Sequence, residues 1–247
     1  MKNAKKIIKV ILIALVWLLI WEAISLLVGK EVLFPSPIVV FLKLIQMAGT
    51  ASFWASIGTS ILRILIGFLC GVLLGSVIGI LTALSKILDD FLSPISRIIR
   101  ATPVASFIIL LFVFLAKNNI PAVTAFLMVF PITWANIYEG IKATDKELLE
   151  MAQVFKLGRG SVLKNIYLPQ IMPFFIASIK SGMGLAWKAG IAAEVLTNPT
   201  YGIGTGLYNS KIYLETTELF AWTAVIIIIS VILEKIAIKL IDKLNND

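Results

Sequence analysis

The chain has 247 residues, 59% of them hydrophobic and 15% charged, with a mean hydropathy of +0.98 and a net charge of +8. This composition excludes a soluble domain and describes one polytopic membrane bundle, in which the positive charge belongs to basic cytoplasmic loops rather than to a nucleic-acid surface. The lone cysteine, Cys70, excludes an internal disulfide and a cysteine metal cluster, and the lack of histidine excludes H-E-x-x-H metal sites and histidine-based triads.

Six transmembrane helices are predicted, over about 8–28, 58–84, 98–116, 120–140, 171–196 and 219–241, each near the roughly 20 residues that cross a hydrocarbon core. The first follows Lys2, Lys5, Lys6 and Lys9. Its apolar run, Ile7 to Val28, is too long for a secretory core and reads as a retained span. Fifteen Lys and Arg residues fall on the side of the N-terminus; four, Lys30, Lys43, Lys117 and Lys211, fall on the other. The positive-inside rule therefore puts both termini and the loop at 142–170 in the cytoplasm of a multi-pass cell-membrane protein. Residues 1–247 read as a single transmembrane domain, with the core spans within 58–241.

After the first span, Phe34-Pro35-Ser36-Pro37 predicts an extended turn, followed by a short helix near the outer surface. The second span carries Gly67, Gly71, Gly75 and Gly79 at strict four-residue spacing, a stripe on which another helix can pack closely. Pro94 and Pro103 then bracket Arg97 and Arg100, which suit either a helix-entry kink at the mouth of a pathway or a snorkelling basic rim. Pro131, after Phe130, is predicted to break or kink the fourth span.

Residues 139–173 form a polar, amphipathic island. Thr144 and Glu147 have the spacing of a capping box, so a helix should begin near Asp145. Leu148, Leu149, Ala152 and Phe155 give it an apolar face. Gly158 and Gly160 interrupt it, and a second run, Val162, Leu163 and Ile166 against Lys164 and Asn165, should end at Pro169. Such a loop either seats in a protein partner or lies on the lipid surface.

The fifth span has Gly182, Ala186 and Gly190 at four-residue spacing, with Trp187, Lys188 and Glu194 as candidate pathway residues. Lys188 lies roughly 24 Å and Glu194 roughly 33 Å from the cytoplasmic start of this helix. Ionisable groups in a membrane usually face the bundle interior or a wet cavity. Lys188 there attracts an anionic solute, pairs with an acid on another helix, or snorkels outward. The segment 198–210, rich in Gly and Thr, reads as an outer loop.

The only Gly-Lys pair, Gly29-Lys30, has Ile24 where a P-loop needs its first glycine, so the chain is not its own P-loop ATPase. Energy must come from another subunit or from an ion gradient. The second case, a secondary transporter, should show an internal repeat, and none is visible.

The island resembles the cytoplasmic loop of ABC importer permeases, whose signature reads E-A-A, three residues, G, nine residues, I-x-L-P. Glu150-Met151-Ala152 and Ile166-Tyr167-Leu168-Pro169 match at the right distance, whereas the signature glycine falls on Lys156 and the nearby glycines are Gly158 and Gly160. FPSPIVV at 34–40, the span from Thr59 to Ser85, RATPVASFIILLFVF at 100–114, FPITWANIYEGIKATDKELLEMA at 130–152 and GLAWKAGIAAEVL at 184–196 are similar to the nitrate, sulfonate, taurine and bicarbonate group of these permeases. The resemblance implies an all-α membrane protein of the type I importer fold, with six transmembrane helices. It implies a permease homodimer, two ATPase subunits that hold ATP and Mg, an extracytoplasmic solute-binding protein, and no cofactor in this chain. The solute would be a small organic or inorganic anion. ATPase docking would fall to Glu150, Ala152, Phe155, Lys156, Leu157, Gly158, Gly160, Ile166, Leu168 and Pro169, with Gly158 needed for its backbone freedom.

Overall fold

The computed structural model describes residues 2–244, and the side chains of Ile8, Lys9 and residues 11–239. Lys2, Lys5, Lys6 and Lys243, which enter the charge count, lie outside the described side chains. The described chain is helical throughout. α1 (Lys2–Val28) runs to the predicted turn, where the indole of Trp21 donates to the Pro35 carbonyl at 3.0 Å and the Ser25 hydroxyl to that of Phe34 at 2.9 Å. Ser36 then caps α2 (Pro37–Ala48), whose first residue, a proline, has no N–H to leave unsatisfied.

The second span is longer than the sequence suggests. α3 (Ala51–Leu84) starts at a Thr50 cap, seven residues before the predicted boundary. Its glycine stripe faces α6 (Ile120–Lys142). A Cβ on Gly71 would stand 2.8 Å from the Val129 Cβ, and one on Gly75 or Gly79 would stand 2.7 or 2.8 Å from the Phe130 or Trp134 carbonyl oxygen. Only glycine permits this backbone approach. Pro131 lies within α6 without ending it, so the predicted break is absent.

The third predicted span, 98–116, is not one helix. α4 (Lys86–Ala101) and α5 (Val104–Phe114) meet at 107°. Pro103 lacks the N–H that would continue the ladder, and it drives Thr102 to ψ 128°, out of the helical region.

α7 (Lys146–Val154) and a single turn, α8 (Arg159–Val162), form the cytoplasmic loop of the predicted topology. A π-helical turn (Leu163–Tyr167) leads without interruption into α9 (Leu168–Thr197). The second run therefore does not stop at Pro169. The Leu168 amide bonds to Leu163, five residues back, and this wider turn accommodates the proline that follows it. Beyond α9, the segment predicted as loop contains α10 (Ile203–Ile212), and α11 (Thr216–Leu244) closes the described chain.

Among the described residues five helices are long and apolar enough to cross a membrane, and the number rises to six when the bent α4–α5 pair is counted as one span. The core lies between α3, α6, α9 and α11, around Ile64, Phe68, Val129, Trp187 and Trp222. Apolar side chains cover much of the outer surface, as a lipid-facing bundle requires. α1 touches the rest mainly through α2.

Candidate functional site

The loop after α6 holds its shape through three local devices. Asp145, not Thr144, caps α7: its carboxylate accepts from the Glu147 amide at 2.9 Å. Thr144 is buried and bonds back to the Gly140 carbonyl, so the predicted capping box does not form and the cap lies one residue later. The Asp145 amide donates to the side-chain carbonyl of Gln170 at 2.9 Å, which ties the start of α7 to α9.

The end of α7 is a Schellman motif. The Leu157 amide reaches the Ala152 carbonyl at 2.9 Å, and the Lys156 amide reaches that of Gln153 at 3.0 Å. This closure places Lys156 at φ 48°, in the left-handed region. The residue that replaces the signature glycine thus adopts the backbone that glycine favours. Gly158 sits at φ −65°, ψ 149°, open to any residue, and a Cβ on Gly158 or Gly160 would meet nothing within 4 Å. The turn belongs to Lys156, and the special role assigned to Gly158 falls away.

Ala152 and Ile166 are buried and anchor the loop, with Leu148 and Leu149 half-buried beside them. Glu150, Lys156, Leu168 and Pro169 are exposed. Phe155 is 70% exposed, Val154 77% and Leu163 63%, and Leu157 at 41% stands with them. Exposed apolar side chains therefore flank the turn, and two of them, Leu157 and Leu163, line a cavity beside Ile80, Leu84 and Ile141. Exposed apolar surface of this kind suits contact with another protein or with lipid.

The candidate pathway residues separate. Trp187 is 1% exposed, with its indole donating to the Ile226 carbonyl at 3.2 Å. Glu194 is fully buried: it accepts from the Ser60 hydroxyl at 2.7 and 2.9 Å and from the Gly204 amide at 3.0 Å, and it lies 3.6 Å from Arg63. Arg63 also donates to the Tyr201 carbonyl. Ser60 in turn accepts from the Ile203 amide at 2.8 Å. Neither Trp187 nor Glu194 faces an open path, so both pathway assignments are corrected to interior packing and to a junction of α3, α9 and α10. Lys188 alone is exposed.

That junction was missed in the sequence. Its trace is Gly202-Ile203-Gly204-Thr205-Gly206, where each glycine admits a bulky neighbour: a Cβ on Gly202 or Gly206 would run into the Glu194 carboxylate or the Trp222 indole.

Comparison with known proteins agrees with this architecture. The chain is 26% identical over 220 residues to the taurine transport system permease protein TauC of Escherichia coli K12, covering 87% of this chain and 80% of that protein. It is 29% identical over 207 residues to the nitrate import permease protein NrtB of Synechococcus elongatus, covering 79% and 73%. In fold it is similar to a chain from a bacterial ABC transporter involved in the import of the acidic polysaccharide alginate, at TM-score 0.63 and 17% identity, over 98% of this chain and 96% of that one. The family model for the binding-protein-dependent transport system inner membrane component matches residues 71–245. The chain belongs to that family and is a multi-pass permease subunit of an ABC importer, a transport component and not an enzyme.

Proposed function

We propose that this permease works as a homodimer between two ATPase subunits in the cytoplasm and a solute-binding protein outside, and that its solute is a small anion. ATP and Mg would be held by the ATPases. In this reading the whole chain is one transmembrane domain, both termini are cytoplasmic, and residues 142–170 dock the ATPase. The basic residues gathered on one side of the predicted topology support the orientation. The names of the nitrate and taurine relatives support the solute class. Lys188, exposed on α9, stays a candidate for a pathway cation.

The observation that carries the docking reading is the exposure of Val154, Phe155, Leu157 and Leu163 around a turn fixed by hydrogen bonds. A rigid loop that presents apolar side chains can seat in a cleft without first ordering itself, so little binding energy is lost to entropy. ATP-driven closure of the ATPases would then move α7 and, through Gln170 and the π-helical turn, α9. The bundle would alternate between outward- and inward-facing states as packed bodies.

The test is co-purification of the ATPase with tagged Phe155→Asp and Leu157→Asp permeases, alongside solute uptake. Both side chains are exposed, so the variants should insert and fold normally. Burying one such side chain is worth about 1.5–3 kcal/mol, so each variant should bind the ATPase roughly ten- to a hundredfold more weakly. Full recovery of the ATPase with unchanged uptake would refute the docking role.

A further inference from the structure

α4 gathers Asp89, Ser93, Ser96, Arg97 and Arg100 at i, i+4, i+7, i+8 and i+11, which places them on one face of a helix. That face turns toward α6, where Trp134, Ala135, Tyr138 and Glu139 complete the wall of a cavity of about 290 Å³. Arg100 also lines the adjoining apolar cavity beside Leu127, Met128, Pro131, Ile132 and Leu185. Arg97, Arg100 and Glu139 are exposed and Asp89 is half-buried, so these charged groups line an open, wet space.

Among the described residues, the ion pairs are made by Lys43 and Arg63, so neither Arg97 nor Arg100 has a carboxylate oxygen within 4 Å. Asp89 is held in place by hydroxyl donors from Ser93 and, at 2.9 Å, from Tyr138. Two cations and two carboxylates thus line one small space without pairing to each other. A cavity for a simple anion gains nothing from Asp89 and Glu139, and one for a cation gains nothing from two arginines. A solute with both charges on a short chain answers both ends.

We propose that this cavity is a solute subsite of the permease and that it takes a small zwitterion, with a sulfonate or carboxylate on Arg97 and Arg100 and an ammonium group against Asp89 and Glu139. The proposal rests on the importer reading and narrows its small anion to one that also carries an ammonium group.

The test uses the permease–ATPase complex in lipid nanodiscs and two matched pairs of labelled probes: taurine against isethionate, and β-alanine against 3-hydroxypropionate. In each pair a hydroxyl replaces the ammonium group. The expected result is that a zwitterion of at least one pair binds tenfold or more tighter than its hydroxyl analogue. Arg100→Gln should abolish that binding and Arg100→Lys should largely retain it. Glu139→Gln should reduce the zwitterion to the affinity of its analogue. Equal binding within both pairs, with loss only in Arg100→Gln, would make this a plain anion subsite and overturn the proposal. So would binding indifferent to both substitutions, or no zwitterion binding at all. Recovery of the ATPase in the same preparation separates the two claims: without it the importer assembly fails, and with it only the zwitterion subsite does.

Discussion

The Leu157 amide closes on the Ala152 carbonyl at 2.9 Å across a lysine, Lys156, held at φ 48°. For an L-residue the left-handed region costs roughly 1–2 kcal/mol, and glycine removes that cost while adding about 0.5–1 kcal/mol of chain entropy to be lost on folding. Lys156→Gly should therefore leave the loop as stable or up to about 1.5 kcal/mol more stable, with ATPase recovery undiminished. Lys156→Val should weaken both, because a β-branched residue resists positive φ most. Gly158→Val, at an ordinary φ with open space around it, should be nearly silent. Thermal melting of the purified permease and ATPase co-purification measure all three. A Gly158→Val variant as impaired as Lys156→Val would mean that the turn is set elsewhere.

The α3 glycine stripe offers a graded test with its own control. At Gly71 and Gly75 even a methyl group would overlap Val129 or the Phe130 carbonyl. Gly71→Ala and Gly75→Ala should each cost about 1–3 kcal/mol, and the leucine variants should not fold. Gly58 lies in the same helix, exposed, with nothing within 4 Å of its absent Cβ. Gly58→Ala should be neutral or stabilising by about 0.5–1 kcal/mol. Melting temperatures in detergent decide the matter, and equal tolerance at Gly58 and Gly75 would contradict the close approach of α3 to α6.

Much of this architecture is local and therefore visible in the sequence. Hydropathy marks the spans, four-residue glycine spacing marks the α3 stripe, and the S/T-x-x-E pattern brings the start of α7 within one residue of its true cap. What escapes depends on backbone detail or on distant partners. No pattern in residues 163–169 announces a π-helical turn, so Pro169 looks like an end when it is the second residue of a long helix. Pro103 is an evident punctuation mark, yet the 107° change of direction follows from how α5 packs Ile108 against Ile120 and Ala193. The charge of Glu194 is conspicuous in an apolar helix, but its partner Ser60 is 134 positions away. Without that partner in view, a buried junction reads as a pathway.

That junction supports a final prediction. Glu194 joins three helices: Ser60 and Arg63 come from α3, and the Gly204 amide opens α10. Removing one member of a buried charged pair leaves the other uncompensated and typically costs about 3–5 kcal/mol. Glu194→Ala should approach that loss, because it strands Arg63, the Ser60 hydroxyl and an unpaired backbone donor together. Glu194→Gln keeps one acceptor oxygen for Ser60 and Gly204 while losing the charge and turning the oxygen beside Arg63 into an NH2 donor, so it should cost about 1–3 kcal/mol. Ser60→Ala removes the link to the Ile203 amide as well and should fall between the two. The damage should be confined to the α10 end of the bundle. Hydrogen exchange should rise first at residues 203–212, while ATPase recovery through α7 stays near that of the unaltered protein. Equal melting temperatures for Glu194→Ala and Glu194→Gln would show that the carboxylate does not hold these helices together. Loss of the ATPase without a change at α10 would move its role to the other side of the membrane.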